Sequence, residues 1–202
     1  MIRVAVFASG RGSNLEALFD ALEGRRDAAV VLVVSDRSDA PALDRARSRG
    51  VETAVVGHGD AVGMLDILAH ARVDWIVLAG YLKRVPDEVV RRHRNRILNI
   101  HPALLPAHGG KGMYGDRVHA AVLRAGEKVS GASVHLVDEE YDRGPVVARE
   151  EVPVEPGDTP ATLARRVLEV EHRLLPAVVI AAAEGRLRVE GERAWIEESD
   201  EA

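Results

Sequence analysis

The sequence predicts an α/β fold with a mixed, mostly parallel sheet and helices on both faces. Short β-branched runs recur at Val4–Ala8, Val30–Ser35, Thr53–Val56, Trp75–Ala79 and Ile97–Ile100, and helical spacing fills most of the intervals. That alternation is expected of βαβ units. The runs are almost continuously apolar, as in strands covered by helices on both sides. Beyond Pro106 the pattern changes to two longer strands joined by a tight link, which implies an antiparallel pair and makes the sheet mixed.

Bulk properties narrow the function classes. A length of 202 residues suits one domain, expected over 1–202, with an N-terminal half to about 100, a C-terminal half over about 101–189 and a short tail at 190–202. Hydrophobic residues make up 47% and charged residues 29%, an ordinary globular balance, and aromatics only 3%, so the core must be aliphatic. The net charge of −5 argues against a nucleic-acid or anionic-membrane binder. Cysteine is absent, which excludes disulfides, thiolate catalysis and Cys-based zinc sites. The apolar start Met1–Ala8 is too short for a signal or spanning segment, and a cytoplasmic location is expected.

The first strand runs into Ser9-Gly10-Arg11-Gly12-Ser13-Asn14, and a helix begins near Leu15. Backbone N–H groups at a helix N-terminus, reinforced by the helix dipole, form a phosphate cradle. A tight turn capped by Ser13 or Asn14 is the alternative. Asn14 and Leu15 stand where a dinucleotide fingerprint has its third glycine, and the Lys-Ser/Thr of a P-loop is missing. A single phosphate on a small substrate fits better. Asp36, after the second strand, is read as part of a capped turn, Asp36-Arg37-Ser38-Asp39.

The fifth run ends in Asn99-Ile100-His101-Pro102, which puts Asn99 and His101 on one strand face near its carboxyl end, where open α/β sheets bind ligands. An amide and an imidazole together can stabilise an oxyanion. A structural pair bonding neighbouring loops is the alternative. A helix over about Asp116–Arg124 follows a Gly-rich stretch, then come strands at Val129–Val137 and Pro145–Val154, linked through Asp142-Arg143-Gly144-Pro145. Asp142 beside His101 would raise the imidazole pKa and favour its protonated form. Asp158-Thr159-Pro160 starts the longest helix, with Leu163, Val167, Val170, Leu174 and Val178 at helical spacing and a kink expected at Pro176. Leu187–Ile196 reads as a hairpin, and the acidic end Glu197–Ala202 as frayed.

Ser9-Gly10-Arg11-Gly12-Ser13-Asn14-Leu15, Asn99-Ile100-His101-Pro102-Ala103-Leu104-Leu105-Pro106 and Ser133-Val134-His135 followed by Asp142 together resemble the folate-dependent formyltransferases. Within that superfamily the first loop is similar to that of the glycinamide ribonucleotide formyltransferases, and the likeness runs from about Ile2 to Val189. The resemblance implies a Rossmann-like formyltransferase fold. It also implies transfer of the formyl group of 10-formyltetrahydrofolate, as cosubstrate, to the amine of glycinamide ribonucleotide in purine biosynthesis.

By the same resemblance Asn99, His101 and Asp142 are catalytic, and Gly12, Ser13, Asn14 and Glu171 bind the ribonucleotide. Tyr81, Leu82, Lys83, Arg84, Val85, Asn99, Asp138 and Asp142 bind the folate, while Ser133, His135 and Lys111 give support. Many family members carry Arg where this chain has Lys83. The stretch Ala107–Gly115 reads either as a lid, with Lys111 near the substrate phosphate, or as a flexible loop. His119 is read as structural or exposed rather than catalytic. His58, His70 and His93 lack ligand spacing, and no metal is expected. Small-molecule substrates, no nucleic acid, no membrane and a monomer or homodimer complete the expectation. Other readings are a formyltetrahydrofolate hydrolase, a methionyl-transfer-RNA formyltransferase, which would carry a further nucleic-acid-binding domain, and a non-catalytic nucleotide-binding module.

Overall fold

Alternate residues of the first strand, β1 (Ile2–Phe7), enter different cores, because successive side chains of a strand point to opposite sheet faces. Val4 and Val6 pack into one apolar cluster, Ala5 and Phe7 into another. The structure, a computed structural model, describes residues 1–198. After β1 come α1 (Ser13–Leu22), β2 (Ala28–Ser35), α2 (Pro41–Ser48), β3 (Glu52–Val55), α3 (Ala61–His70), β4 (Trp75–Leu78), α4 (Asp87–Arg92) and β5 (Ile97–His101). The second half holds α5 (Asp116–Ala125), β6 (Val129–Leu136), β7 (Val146–Pro153), α6 (Pro160–Ala183), β8 (Leu187–Glu190) and β9 (Arg193–Ile196).

Strands β1 to β7 form one seven-stranded sheet in the order β3-β2-β1-β4-β5-β6-β7. Neighbours are parallel from β3 to β5, whereas β6 runs antiparallel to both β5 and β7. Helices α1, α5 and α6 cover one face through Leu15, Val122, Leu163 and Val167. Helices α3 and α4 cover the other through Met64, Leu68, Val89 and Val90. The mixed, mostly parallel sheet expected from the alternation is therefore present. Chain order reverses between β1 and β4, and this switch point opens a crevice at the strand carboxyl ends.

In the second half β5 and β6 pair with Asn99 opposite His135 and His101 opposite Ser133. Leu98 and Ile100 point into the core with Val134 and Leu136, which leaves the polar residues together on the other face. Gly131 and Gly144 leave no room for a side chain, since a Cβ would lie 2.1 Å from the Glu150 carbonyl oxygen and 2.0 Å from that of Leu136. Helix α6 continues as one element through Pro176. The hairpin β8–β9 forms as read. The expected fraying is corrected at Glu197, whose N–H donates to the Arg186 carbonyl at 2.9 Å and whose carboxylate meets Arg188 at 2.8 Å. The rest of that expectation, at residues 199–202, lies outside the described residues.

A capping box starts α6. The Thr159 hydroxyl accepts from the Thr162 N–H at 3.2 Å, and the Thr159 N–H donates to the Thr162 hydroxyl at 2.9 Å. Thr159→Ala should cost about 1 kcal/mol and lower the melting temperature by roughly 2–4 °C in a thermal unfolding scan. An unchanged melting temperature would show that the cap contributes nothing.

Candidate functional site

A cavity of about 660 Å³ opens at the switch point. Its walls come from the Gly10–Asn14 turn, the segment after β4, the end of β5, the Gly110–Arg117 loop and helix start, the segment after β6 and one side of α6. The structure brings together here Gly12, Ser13, Asn14, Tyr81–Val85, Asn99, His101, Lys111, His135, Asp138, Asp142 and Glu171. Ser133 is the exception. Its hydroxyl donates to the Ala103 carbonyl at 2.7 Å and accepts from the Leu105 N–H at 3.0 Å, so it shapes the loop after β5 without lining the cavity.

Gly12 stands at the N-cap of α1 with φ 76°, and no side chain caps the helix. Neither Ser13 nor Asn14 serves as the cap that the simple-turn reading required. The helix end is left to face the cavity through backbone N–H groups, a suitable seat for an anion. Gly12 is also forced by packing, since a Cβ would come within 2.9 Å of Ala42. Around Gly10 a Cβ would meet nothing within 4 Å, so packing does not demand a glycine there. Arg11, Lys83, Lys111 and Arg117 also line this space, alongside Asp116, Asp138, Glu140 and Asp142.

Asn14 turns instead toward α6, where its amide donates to Glu171 at 2.6 Å, and both residues are buried. Burial pushes the Glu171 carboxyl up to about 7 against the lowering effect of the Asn14 hydrogen bond. Glu171 is therefore not an exposed helix charge. Asn14 Oδ1 has no partner among the described residues.

The polar face of β5 meets Asp142, the residue the sequence tied to it only through a family motif. Asp142 Oδ2 lies 3.7 Å from His101 Nδ1, and Oδ1 lies 3.4 Å from His135 Nε2 and 3.5 Å from Asn99 Nδ2. The Gly110 N–H donates to Oδ2 at 2.8 Å. His135 Nδ1 sits 2.8 Å from the Leu136 carbonyl, which can only accept, so in the neutral ring Nε2 is the acceptor for the Asn99 amide at 2.9 Å. By the same logic His101 Nε2 carries a proton toward the His108 carbonyl at 2.9 Å.

Burial alone would raise the Asp142 carboxyl, but His135, His101 and the Gly110 N–H hold it below the usual range. For His101 the sign is corrected. Burial lowers its pKa and outweighs the raising effect of Asp142, so the ligand-free ring is neutral rather than protonated.

On the opposite wall Tyr81 packs edge-on against Phe7 at 5.4 Å, and burial pushes its phenol up to about 12. Arg84 is occupied by Asp87 and the Glu139 carbonyl, each at 2.6 Å, which ties the segment after β4 to the one after β6. Lys83 is exposed and lines the cavity. Asp138 accepts from the Glu140 N–H at 2.8 Å, fixing the turn that leads to Asp142. Asp36 does more than cap a turn: it accepts from the Ser9 hydroxyl, which in turn accepts from the Leu82 N–H at 2.9 Å.

His119, read from the sequence as structural or exposed, also borders the site. His119 on α5 is only 4% exposed and lines the cavity, its Nδ1 has no partner among the described residues, and burial lowers its pKa. Its place on the apolar side of an amphipathic helix was the available signal. The backbone contributions of His108 and Gly110 carry no side-chain signature at all.

Residues 2–179 match the formyl transferase family. The chain is similar to the phosphoribosylglycinamide formyltransferase, chloroplastic, of Arabidopsis thaliana, with 44% identity over 92% of this chain and 67% of the plant protein. It thus spans about two thirds of the length of the plant relatives it matches. The Haemophilus influenzae phosphoribosylglycinamide formyltransferase is 35% identical over 98% of this chain and 94% of its own. The solved structure of glycinamide ribonucleotide transformylase 1 from Symbiobacterium toebii superposes with a TM-score of 0.90 at 40% identity, covering 98% of this chain and 95% of that one.

Glu171 makes stability depend on pH. The folded protein prefers the neutral acid up to about 7, whereas the unfolded chain ionises near its ordinary 4.5. This contribution is complete below pH 4.5 and is lost as pH rises through 7. Glu171→Gln keeps the acceptor for Asn14 but does not titrate. In urea unfolding the wild type should therefore lose stability relative to the variant between pH 5 and 7, and parallel curves would refute the buried-acid assignment.

Proposed function

Because the chain belongs to the formyl transferase family, we propose that it transfers the formyl group of 10-formyltetrahydrofolate to the amine of glycinamide ribonucleotide. The products are formylglycinamide ribonucleotide and tetrahydrofolate, in de novo purine biosynthesis towards IMP. The observation that carries this reading is the convergence of Asn99, His101, His135 and Asp142 in a cavity whose far wall is an uncapped helix N-terminus. One end suits a phosphate and the other suits a carbonyl gaining charge. A volume of about 660 Å³ lies within the range of small-molecule sites.

The cosubstrate supplies an activated formyl carbonyl, and the protein's residues divide the remaining work. Gly12, Ser13 and Asn14 hold the phosphate of the ribonucleotide, and Glu171 bonds its ribose hydroxyls. Tyr81–Val85 and Asp138 seat the folate ring, with Lys111 at the cavity mouth. Asn99 gives one amide N–H to His135 and can turn the other, held only at 3.5 Å by Asp142 Oδ1, to the formyl oxygen. As the substrate amine attacks the formyl carbon its proton must leave, and His101 Nδ1, with its lone pair toward Asp142, is the base in place. Protonated there, His101 pairs with Asp142, and the imidazolium charge beside the carbonyl favours the developing oxyanion, which the Asn99 amide bonds directly. The amine is thereby linked to the carbon, the bond to the folate nitrogen breaks, and that nitrogen recovers a proton.

We read residues 1–202 as one such transferring domain acting in the cytoplasm as a monomer or homodimer. No helix among the described residues is long and apolar enough to cross a membrane.

Purified protein mixed with both substrates should yield formylated ribonucleotide. Folate deformylation unchanged by omitting the ribonucleotide would replace this reading with the hydrolase. His101→Ala and Asp142→Asn should each lower kcat by roughly 10²–10³ while phosphate binding persists. Near-normal turnover in either would remove its assigned role.

A further inference from the structure

We propose that Glu127, outside the cavity, is a positioning residue that sets the tautomer of His101 through the backbone of His108–Gly110. The inference deepens the proposed function and rests on that assignment of His101 and Asp142. Its physical core is a pair of backbone contacts two residues apart. The His108 carbonyl takes the His101 Nε2–H at 2.9 Å, and the Gly110 N–H donates to Asp142 Oδ2 at 2.8 Å. This short stretch thus clasps both members of the pair.

The clasp decides where a proton can go. With Nε2 committed to a carbonyl, neutral His101 must leave its lone pair on Nδ1, which faces Asp142 Oδ2 at 3.7 Å. Two lone-pair atoms cannot hydrogen-bond, and the separation is correspondingly longer than a hydrogen bond. A proton placed on Nδ1 would turn that gap into a charge-assisted contact. The opposite tautomer would already fill it with a proton and leave His101 unable to accept one at that atom.

The stretch does not hold this shape by intrinsic preference. His108 has φ 55°, a left-handed conformation costly for a residue with a side chain, and Gly110 has φ 101°. Two contacts over-determine it. Gly109 is wedged so closely that a Cβ would sit 2.5 Å from Leu105 Cδ2 and 3.2 Å from Asp142 Cβ. On the other side, His108 Nε2 meets Glu127 Oε1 at 3.3 Å, anchoring the loop to the connection between α5 and β6. Glu127 is half-exposed and does not line the cavity, so its removal does not disturb ligand contacts directly. The titratable groups acting on His101 are Asp142, His135 and His108, with His119 from α5. The His108 carbonyl raises the His101 pKa, so loosening it should lower that pKa further.

The test is ¹⁵N NMR of the full chain labelled at histidine, without ligands, in wild type, Glu127→Ala and Glu127→Gln. Wild type should show His101 protonated at Nε2 alone, Glu127→Ala a mixture of tautomers, and Glu127→Gln, which keeps an oxygen acceptor, the wild-type pattern. His108→Asn suits the left-handed backbone but is too short to reach Glu127, and should reproduce Glu127→Ala should the latter fail to fold.

In turnover, Glu127→Ala should lower kcat about tenfold with KM for the ribonucleotide unchanged. The His101-dependent limb of the pH profile should move to lower pH. A folded Glu127→Ala with the wild-type tautomer and an unmoved pH profile would overturn the proposal. Because the tautomer is read on ligand-free protein, that outcome stands apart from whether the chain transfers a formyl group.

Discussion

Asn99 faces His135 and His101 faces Ser133 across β5 and β6, and a slip of one residue in that pairing would scatter all four. The register is held by the other side of the same strands, where Leu98, Ile100, Val134 and Leu136 are buried in the larger core. Since side chains alternate strictly along a strand, burying those apolar residues forces the polar ones onto the opposite face. Gly131 and Gly144 then admit the neighbouring backbone at distances no side chain would tolerate, and the chain after β6 returns Asp142 to the end of β5. The hydrophobic core is in this sense what aligns the polar site.

Burial acts in different directions on the groups so aligned. It lowers the His101 pKa and pushes the Glu171 carboxyl up to about 7, so that acid is part-protonated near neutral pH, while Asp142, which accepts the Gly110 N–H, stays ionised. A neutral imidazole beside an ionised carboxylate is a site ready to receive a proton, which is what an attacking amine must release. Basic and acidic side chains share the lining of the same space, so the seat for an anion is the uncapped N-terminus of α1 rather than a net cationic field.

Much of this was legible in the residues. The alternation of apolar runs and helices gave the sheet, and two-residue spacing put Asn99 and His101 on one face. Asp142 was reached only through its resemblance to a family motif, because no local rule says which loop residue folds back onto a strand end. The charge state of His101 was misjudged for a related reason: a sequence shows the neighbouring Asp but not the depth of burial that outweighs it. Glu171 was named only as what the resemblance implies, and the structure buries it against Asn14, while His119, read as structural or exposed, is buried and lines the cavity from α5. The contributions of His108 and Gly110 come from main-chain atoms, which every residue carries, so composition cannot announce them. Ser133, grouped with the site by its neighbours, serves the loop after β5 instead.

The central claim is that His101 and Asp142 act as one proton-handling unit rather than as independent contributors. A double-mutant cycle on kcat for formyl transfer, with His101→Ala, Asp142→Asn and both together, measures this directly. The account predicts that the double variant is little worse than the more damaged single one. Losses that multiply, so that the double variant falls by the product of the two, would contradict it.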